Sequence, residues 1–184
     1  MRKKSILVFT LFVTHWFTTF PASAETAKVD FGPDVVGEIY KTASGDSLWM
    51  YRFEPQDHDS AIDRRPAVVF FFGGGWNGGS VRQFEKYAKY LAHRGMVAFV
   101  ADYRVKNRQG TPPVACVQDG KSAVRWIRDH ASRLGIDPDR IAAAGGSAGG
   151  HVAAATGICG GFEDPQDKNA QVSSKPNALV LFNP

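Results

Sequence analysis

Residues 141–151 read Ile141-Ala142-Ala143-Ala144-Gly145-Gly146-Ser147-Ala148-Gly149-Gly150-His151, and the apolar character then continues to Ile158. Ile141 to Ala144 has strand length and follows the turn signal Asp137-Pro138-Asp139, while Ala148 to Ile158 is long enough to be a helix. Between them, Gly145-Gly146-Ser147-Ala148-Gly149 matches G-x-S-x-G, the tight strand-to-helix turn that exposes a serine hydroxyl. A serine in such a turn sits on strained backbone, so the residues two places away on either side must be nearly free of side chain. Isolated matches to this pattern are common, and the plain alternative is a glycine-rich helix start that holds a serine by chance. What favours Ser147 as a nucleophile is context: a strand before it and a helix after it.

Working outward, the chain alternates strand and helix. Val35 to Glu54 reads as two short strands about Ser44-Gly45-Asp46, an opening hairpin. Ala67 to Phe72 is a continuous apolar run of the kind buried on both faces of a parallel sheet. Ser80 opens a helix, with Gln83 three residues on completing a capping-box pattern and Phe84, Tyr87, Ala88 and Leu91 forming its apolar stripe as far as Arg94-Gly95. A strand follows from Val97 to Tyr103. The next helix starts after Pro112-Pro113, turns Val117, Val124, Ile127 and Leu134 inward, and stops at Gly135. The polar segment from Gly160 to Pro176 leads into a last strand, Ala178 to Phe182. This alternation predicts an α/β fold: a mainly parallel sheet with right-handed crossovers and an N-terminal hairpin.

The amino terminus has a different character. Arg2-Lys3-Lys4, an apolar run from Ile6 to Phe20 and the small residues Ala22-Ser23-Ala24 form a secretory signal-peptide pattern. The run, at roughly 15 residues, is shorter than the ~20 that span a bilayer. The expectation is therefore a signal peptide over 1–24, a single mature domain over 25–184, and a secreted or periplasmic product with no membrane attachment after cleavage; an uncleaved anchor stands as the alternative. Of the 22 Lys and Arg, three lie in this leader, leaving 19 against 18 Asp and Glu. A mature charge near +1 with no basic stripe excludes a nucleic-acid partner. Cys116 and Cys159 fall at the start and end of helices that run in the same direction, too far apart for a disulfide; two buried free thiols are expected.

Phe72-Gly73-Gly74-Gly75-Trp76 follows the first parallel strand. Acyl transfer places negative charge on a carbonyl oxygen, and backbone N–H groups aimed at that oxygen stabilise it. Glycines let the backbone approach closely. With the elbow at Ser147, one donor is the N–H of Ala148 and the other is that of Gly74 or Gly75. The same loop also fits a dinucleotide fingerprint, Gly73-x-Gly75-x-x-Gly78, with Asp102 at the end of the next strand. Against that alternative, the helix signal at Ser80 comes after every glycine, and Trp76 occupies the place of the pyrophosphate.

Phe72 to Trp76, Asp102-Tyr103-Arg104, Gly135-Ile136-Asp137-Pro138 leading to Arg140-Ile141, and Gly145 to His151 together resemble the acetyl-esterase and lipase branch of the α/β hydrolases. That branch includes hormone-sensitive-lipase-like esterases and bacterial acetyl xylan and feruloyl esterases. The resemblance runs in order from about Val68 to Pro184. It implies a serine hydrolase of short acyl esters, and export points to acetylated polysaccharide as a substrate. No cofactor is implied, and no metal site is indicated. Phe72 departs from the branch, which often has histidine there, and that bears on how the glycine loop is held. Asp102-Tyr103-Arg104 reads as structural, orienting loops near the site.

The resemblance also implies a catalytic acid and then a histidine later in the chain. No histidine follows His151, so the expectation is an N-terminal fragment, ending after about the sixth strand and inactive alone. His151 lies on the serine's own helix, where it reads as a packing or hydrogen-bonding residue. An exported serine peptidase on the same fold and a non-catalytic binding protein stand as alternatives.

Overall fold

The computed structural model describes residues 27–184; the predicted signal peptide lies outside them. After residues 27–34, the described part of the chain opens with an antiparallel hairpin.

 β1 (Val35–Ala43) and β2 (Asp46–Phe53) pair antiparallel about Ser44-Gly45. Both turn residues have positive φ, the geometry whose twist matches that of the strands it joins. β3 (Arg65–Phe71), β4 (Val97–Ala101), β5 (Ile136–Gly146) and β6 (Ala178–Phe182) complete a six-stranded sheet in the order β1-β2-β4-β3-β5-β6. β2 meets β4 antiparallel, and β4, β3, β5 and β6 are mutually parallel. The predicted α/β architecture with its hairpin is therefore the observed one.

The helices are α1 (Glu85–Ala92), α2 (Lys106–Gln109), α3 (Pro113–Asp129) and α4 (Ala148–Ile158). From β3 the chain crosses by α1 to β4 on one side, then returns by α3 to β5 on the other side and continues by α4 to β6. Right-handed crossovers in opposite directions place α1 on one face of the sheet and α3 with α4 on the other. The loops after β3 and β5 consequently leave toward opposite faces. In open α/β sheets, loops that part in this way from neighbouring strands leave the ligand crevice between them at the carboxyl ends of the strands.

Four local readings change. The helix at Ser80 starts as a 3-10 turn over Val81–Phe84, and Ser80 Oγ accepts from the Arg82 N–H. Gln83 does not close a capping box, because its side-chain oxygen is turned to Gly73. α3 ends at Asp129 rather than Gly135, with Leu134 buried from the turn that follows. β5 begins at Ile136, with its pairing to β3 interrupted between Arg65 and Ala67, so the Asp137-Pro138-Asp139 turn signal marks an irregularity within the strand.

The segment after α4 has little apolar content and is held by charge. Lys41 Nζ on β1 lies 2.8 Å from Asp119 Oδ1 and 2.6 Å from Asp164 Oδ2. Arg104 is bidentate on Asp119 at 2.8 and 2.7 Å, and Arg125 reaches both Glu163 and Asp167. Burial pushes the Asp164 carboxyl up, but Lys41, the Gln166 N–H and Arg104 outweigh it and hold the group below the usual carboxylate range. Glu163 is likewise held low, with Arg125 and Lys121 outweighing burial.

Candidate active site

Ser147 is the residue between β5 and α4, with φ 52° and ψ −123°. A non-glycine residue with such backbone costs roughly 1–3 kcal/mol and persists only where its surroundings impose it. Here the Ser147 N–H donates to the Phe182 carbonyl at 2.9 Å, and the Ser147 carbonyl accepts from the His151 N–H at 3.0 Å. The flanking glycines are sterically required. A Cβ on Gly149 would stand 2.1 Å from the Phe71 carbonyl oxygen, and one on Gly145 would stand 2.3 Å from the Gly149 oxygen. The G-x-S-x-G spacing thus reflects α4 starting directly against the end of β3. Ser147 itself is exposed.

The register Phe71↔Gly145 brings the next residues of both strands side by side. A Cβ on Gly73 would lie 3.3 Å from Ser147 Cβ, so the glycine loop and the serine form one surface. Ala148 is the first residue of α4, and its N–H has no acceptor within its own helix. The Gly73 N–H donates to Gln83 Oε1 at 2.5 Å. The Gly73 N–H is thereby committed to Gln83 and is not one of the two candidate donors, Gly74 and Gly75. Gly74 and Gly75 are exposed in the crevice mouth, and Trp76 adopts a positive φ of 61°.

Neighbouring loops fix this one. The Tyr103 hydroxyl donates to the Phe72 carbonyl at 2.5 Å, and the two rings stack with centroids 4.1 Å apart. Burial pushes the Tyr103 phenol above its usual range, which keeps it a neutral donor. Arg108 binds both carboxylate oxygens of Asp102, at 2.8 and 2.6 Å, and the Tyr103 carbonyl at 2.8 Å. The N–H groups of Lys106 and Asn107 in α2 hold the Trp76 and Asn77 carbonyls. Phe72 is thus an aromatic platform for Tyr103, and Tyr103 holds the loop while Asp102 ties down Arg108; Arg104 instead turns to Asp119 and Asp164. Neither Gln83 nor α2 was singled out for this part by sequence. A single polar side chain beside a glycine run gives no local sign of which backbone group it will bind.

His151 points its Nδ1 at Trp76 Nε1, 3.4 Å away, and the rings meet edge to face. It is a hydrogen-bonding residue across the crevice. His58 is tied to Asp63 and to the Leu134 carbonyl, and His93 and His130 end α1 and α3. The fingerprint glycines Gly73, Gly75 and Gly78 all precede the first helical turn at Val81. That separates them from any helix N-terminus that could receive a pyrophosphate.

A parallel-centred sheet in this order, with a strained serine between β5 and the following helix, defines the α/β-hydrolase fold. Within it, the BD-FAE family profile matches residues 54–181, and the chain belongs to that family. Among solved structures it is similar to Thermogutta terrifontis esterase 2 phosphorylated by paraoxon, at a TM-score of 0.80 and 48% identity over 83% of this chain and 58% of that one. It is 34% identical over 172 residues to the probable carboxylic ester hydrolase LipM of Mycobacterium tuberculosis, covering 88% of this chain and 39% of LipM. Carboxylesterase NlhH of the same organism is 39% identical over 93 residues, 50% of this chain and 28% of NlhH. The chain spans less than two thirds of the length of each.

Proposed function

We propose that Ser147 is the nucleophile of an exported serine carboxylic-ester hydrolase that acts on short acyl esters, including acetylated polysaccharide. The observation that carries this reading is the strained Ser147 elbow packed against the Gly73 loop. Ser147 Oγ attacks the ester carbonyl, and the oxyanion that forms is held by the N–H of Ala148 and that of Gly74 or Gly75. Two donors aimed at the oxyanion are each worth about 10²–10³ in rate. A serine hydroxyl needs a base to take its proton and an acid to hold that base. In this fold the acid and then the histidine come later in the chain than the serine.

The related esterase phosphorylated by paraoxon supports a reactive nucleophile in this fold. The test is to treat the whole protein with a fluorophosphonate and map the adduct, then to assay an aryl acetate beside the matching anilide. A single adduct at Ser147 with ester turnover lost in Ser147→Ala is the expected result. Faster anilide cleavage would make the protein a peptidase, and a folded protein with no adduct would make it a binding protein. Export is checked separately by sequencing the amino terminus of the product outside the cytoplasm, with Glu25 expected first.

A further inference from the structure

The peptide unit between Phe72 and Gly73 is gripped at both ends. Its carbonyl accepts from the Tyr103 hydroxyl and its N–H donates to Gln83 Oε1, each at 2.5 Å. A peptide held in this way cannot rotate about its flanking bonds, although glycines on its carboxyl side would otherwise permit a flip. The orientation of the next peptides, which carry the Gly74 and Gly75 N–H groups, is set from this fixed plane. We propose that Gln83 is the positioning residue of the oxyanion loop, acting through the Gly73 N–H to keep the Gly74 and Gly75 donors aimed at the crevice beside Ser147. This rests on the esterase reading of Ser147.

Gln83 is suited to the part. It sits in the 3-10 turn whose ends are anchored by buried Val81 and Phe84, with Phe84 stacked on Phe70 at 5.1 Å. The backbone that carries it is therefore rigid, while the residue itself is exposed. Its replacement leaves the core intact. An amide also serves better than a carboxylate. Glutamate would accept the same N–H, but it would put a fixed negative charge near the oxygen on which negative charge develops, and that opposes the transition state.

The experiment compares the whole wild-type protein with Gln83→Ala and Gln83→Glu. It reads kcat and KM for an aryl acetate across pH, and hydrogen exchange at the Gly73 amide. In Gln83→Ala, kcat falls about 10- to 100-fold at nearly unchanged KM, and the Gly73 amide exchanges faster. In Gln83→Glu the amide stays protected, kcat falls, and the ratio of variant to wild-type activity rises as pH is lowered and the carboxylate is protonated. Unchanged kcat and unchanged Gly73 exchange in Gln83→Ala, in a protein whose wild type labels at Ser147, would overturn the assignment. Failure of the wild type to label at Ser147 overturns the esterase reading instead.

Discussion

At the scale of single residues, the site is built from what is missing as much as from what is present. Gly149 has no room for even a methyl group, since a Cβ there would meet two carbonyl oxygens, those of Phe71 and Phe72, at 2.1 and 2.4 Å. Gly149→Ala must push α4 away from β3, and it is expected to lower stability by roughly 1–3 kcal/mol and to abolish fluorophosphonate labelling. Urea unfolding and adduct mass check the two effects. Tyr103→Phe keeps the ring stack on Phe72 but removes the donor to the Phe72 carbonyl. The expected loss is about 1 kcal/mol, read by the same unfolding experiment, with slower ester turnover. Ser147 was legible in the sequence because the elbow imposes a local spacing. The grip of Gln83 on Gly73 was not, because a capping-box pattern and a loop clamp use the same residue type.

At the scale of elements, α4 and β6 were readable to the residue, since glycines and a polar segment mark their ends. α2 was missed: Lys106 to Gln109 is a single turn with no apolar periodicity to betray it. The ionic docking of segment 160–176 was equally invisible, because Lys41, Arg104, Asp119 and Asp164 come from four distant parts of the chain. Glu163 and Asp164 are held below their ordinary values of 4.5 and 3.8 in the folded protein. Their contribution to stability is therefore present above those values and is lost as pH falls through the lower folded ones. Limited proteolysis within 160–176 is expected to begin in that acidic window. Lys41→Met removes a partner of Asp164 and moves the onset to higher pH. The two cysteines are both free, but only Cys116 is buried; Cys159 is half-exposed, which corrects the expectation of two buried thiols. Burial, followed by the charge of Asp119, pushes the Cys116 thiol up to about 11. A thiol reagent added to native protein is expected to modify Cys159 and spare Cys116.

At the scale of the whole molecule, the sheet is unevenly covered. β6 lies at its edge, and Val180, Leu181 and Phe182 are 44, 39 and 39% exposed. An apolar strand at an edge is a template for association. A polypeptide comprising residues 25–184 alone is expected to self-associate and to show no ester turnover; a monodisperse, cooperatively melting sample in light scattering and calorimetry would contradict the first part. The hydrogen bond from Ser147 to Phe182 has a consequence during synthesis as well. A chain emerging from the ribosome at roughly 5–20 residues per second exposes Ser147 seconds before Phe182 has cleared the exit. Over that interval the Ser147 N–H is without the Phe182 carbonyl that accepts from it in the folded sheet.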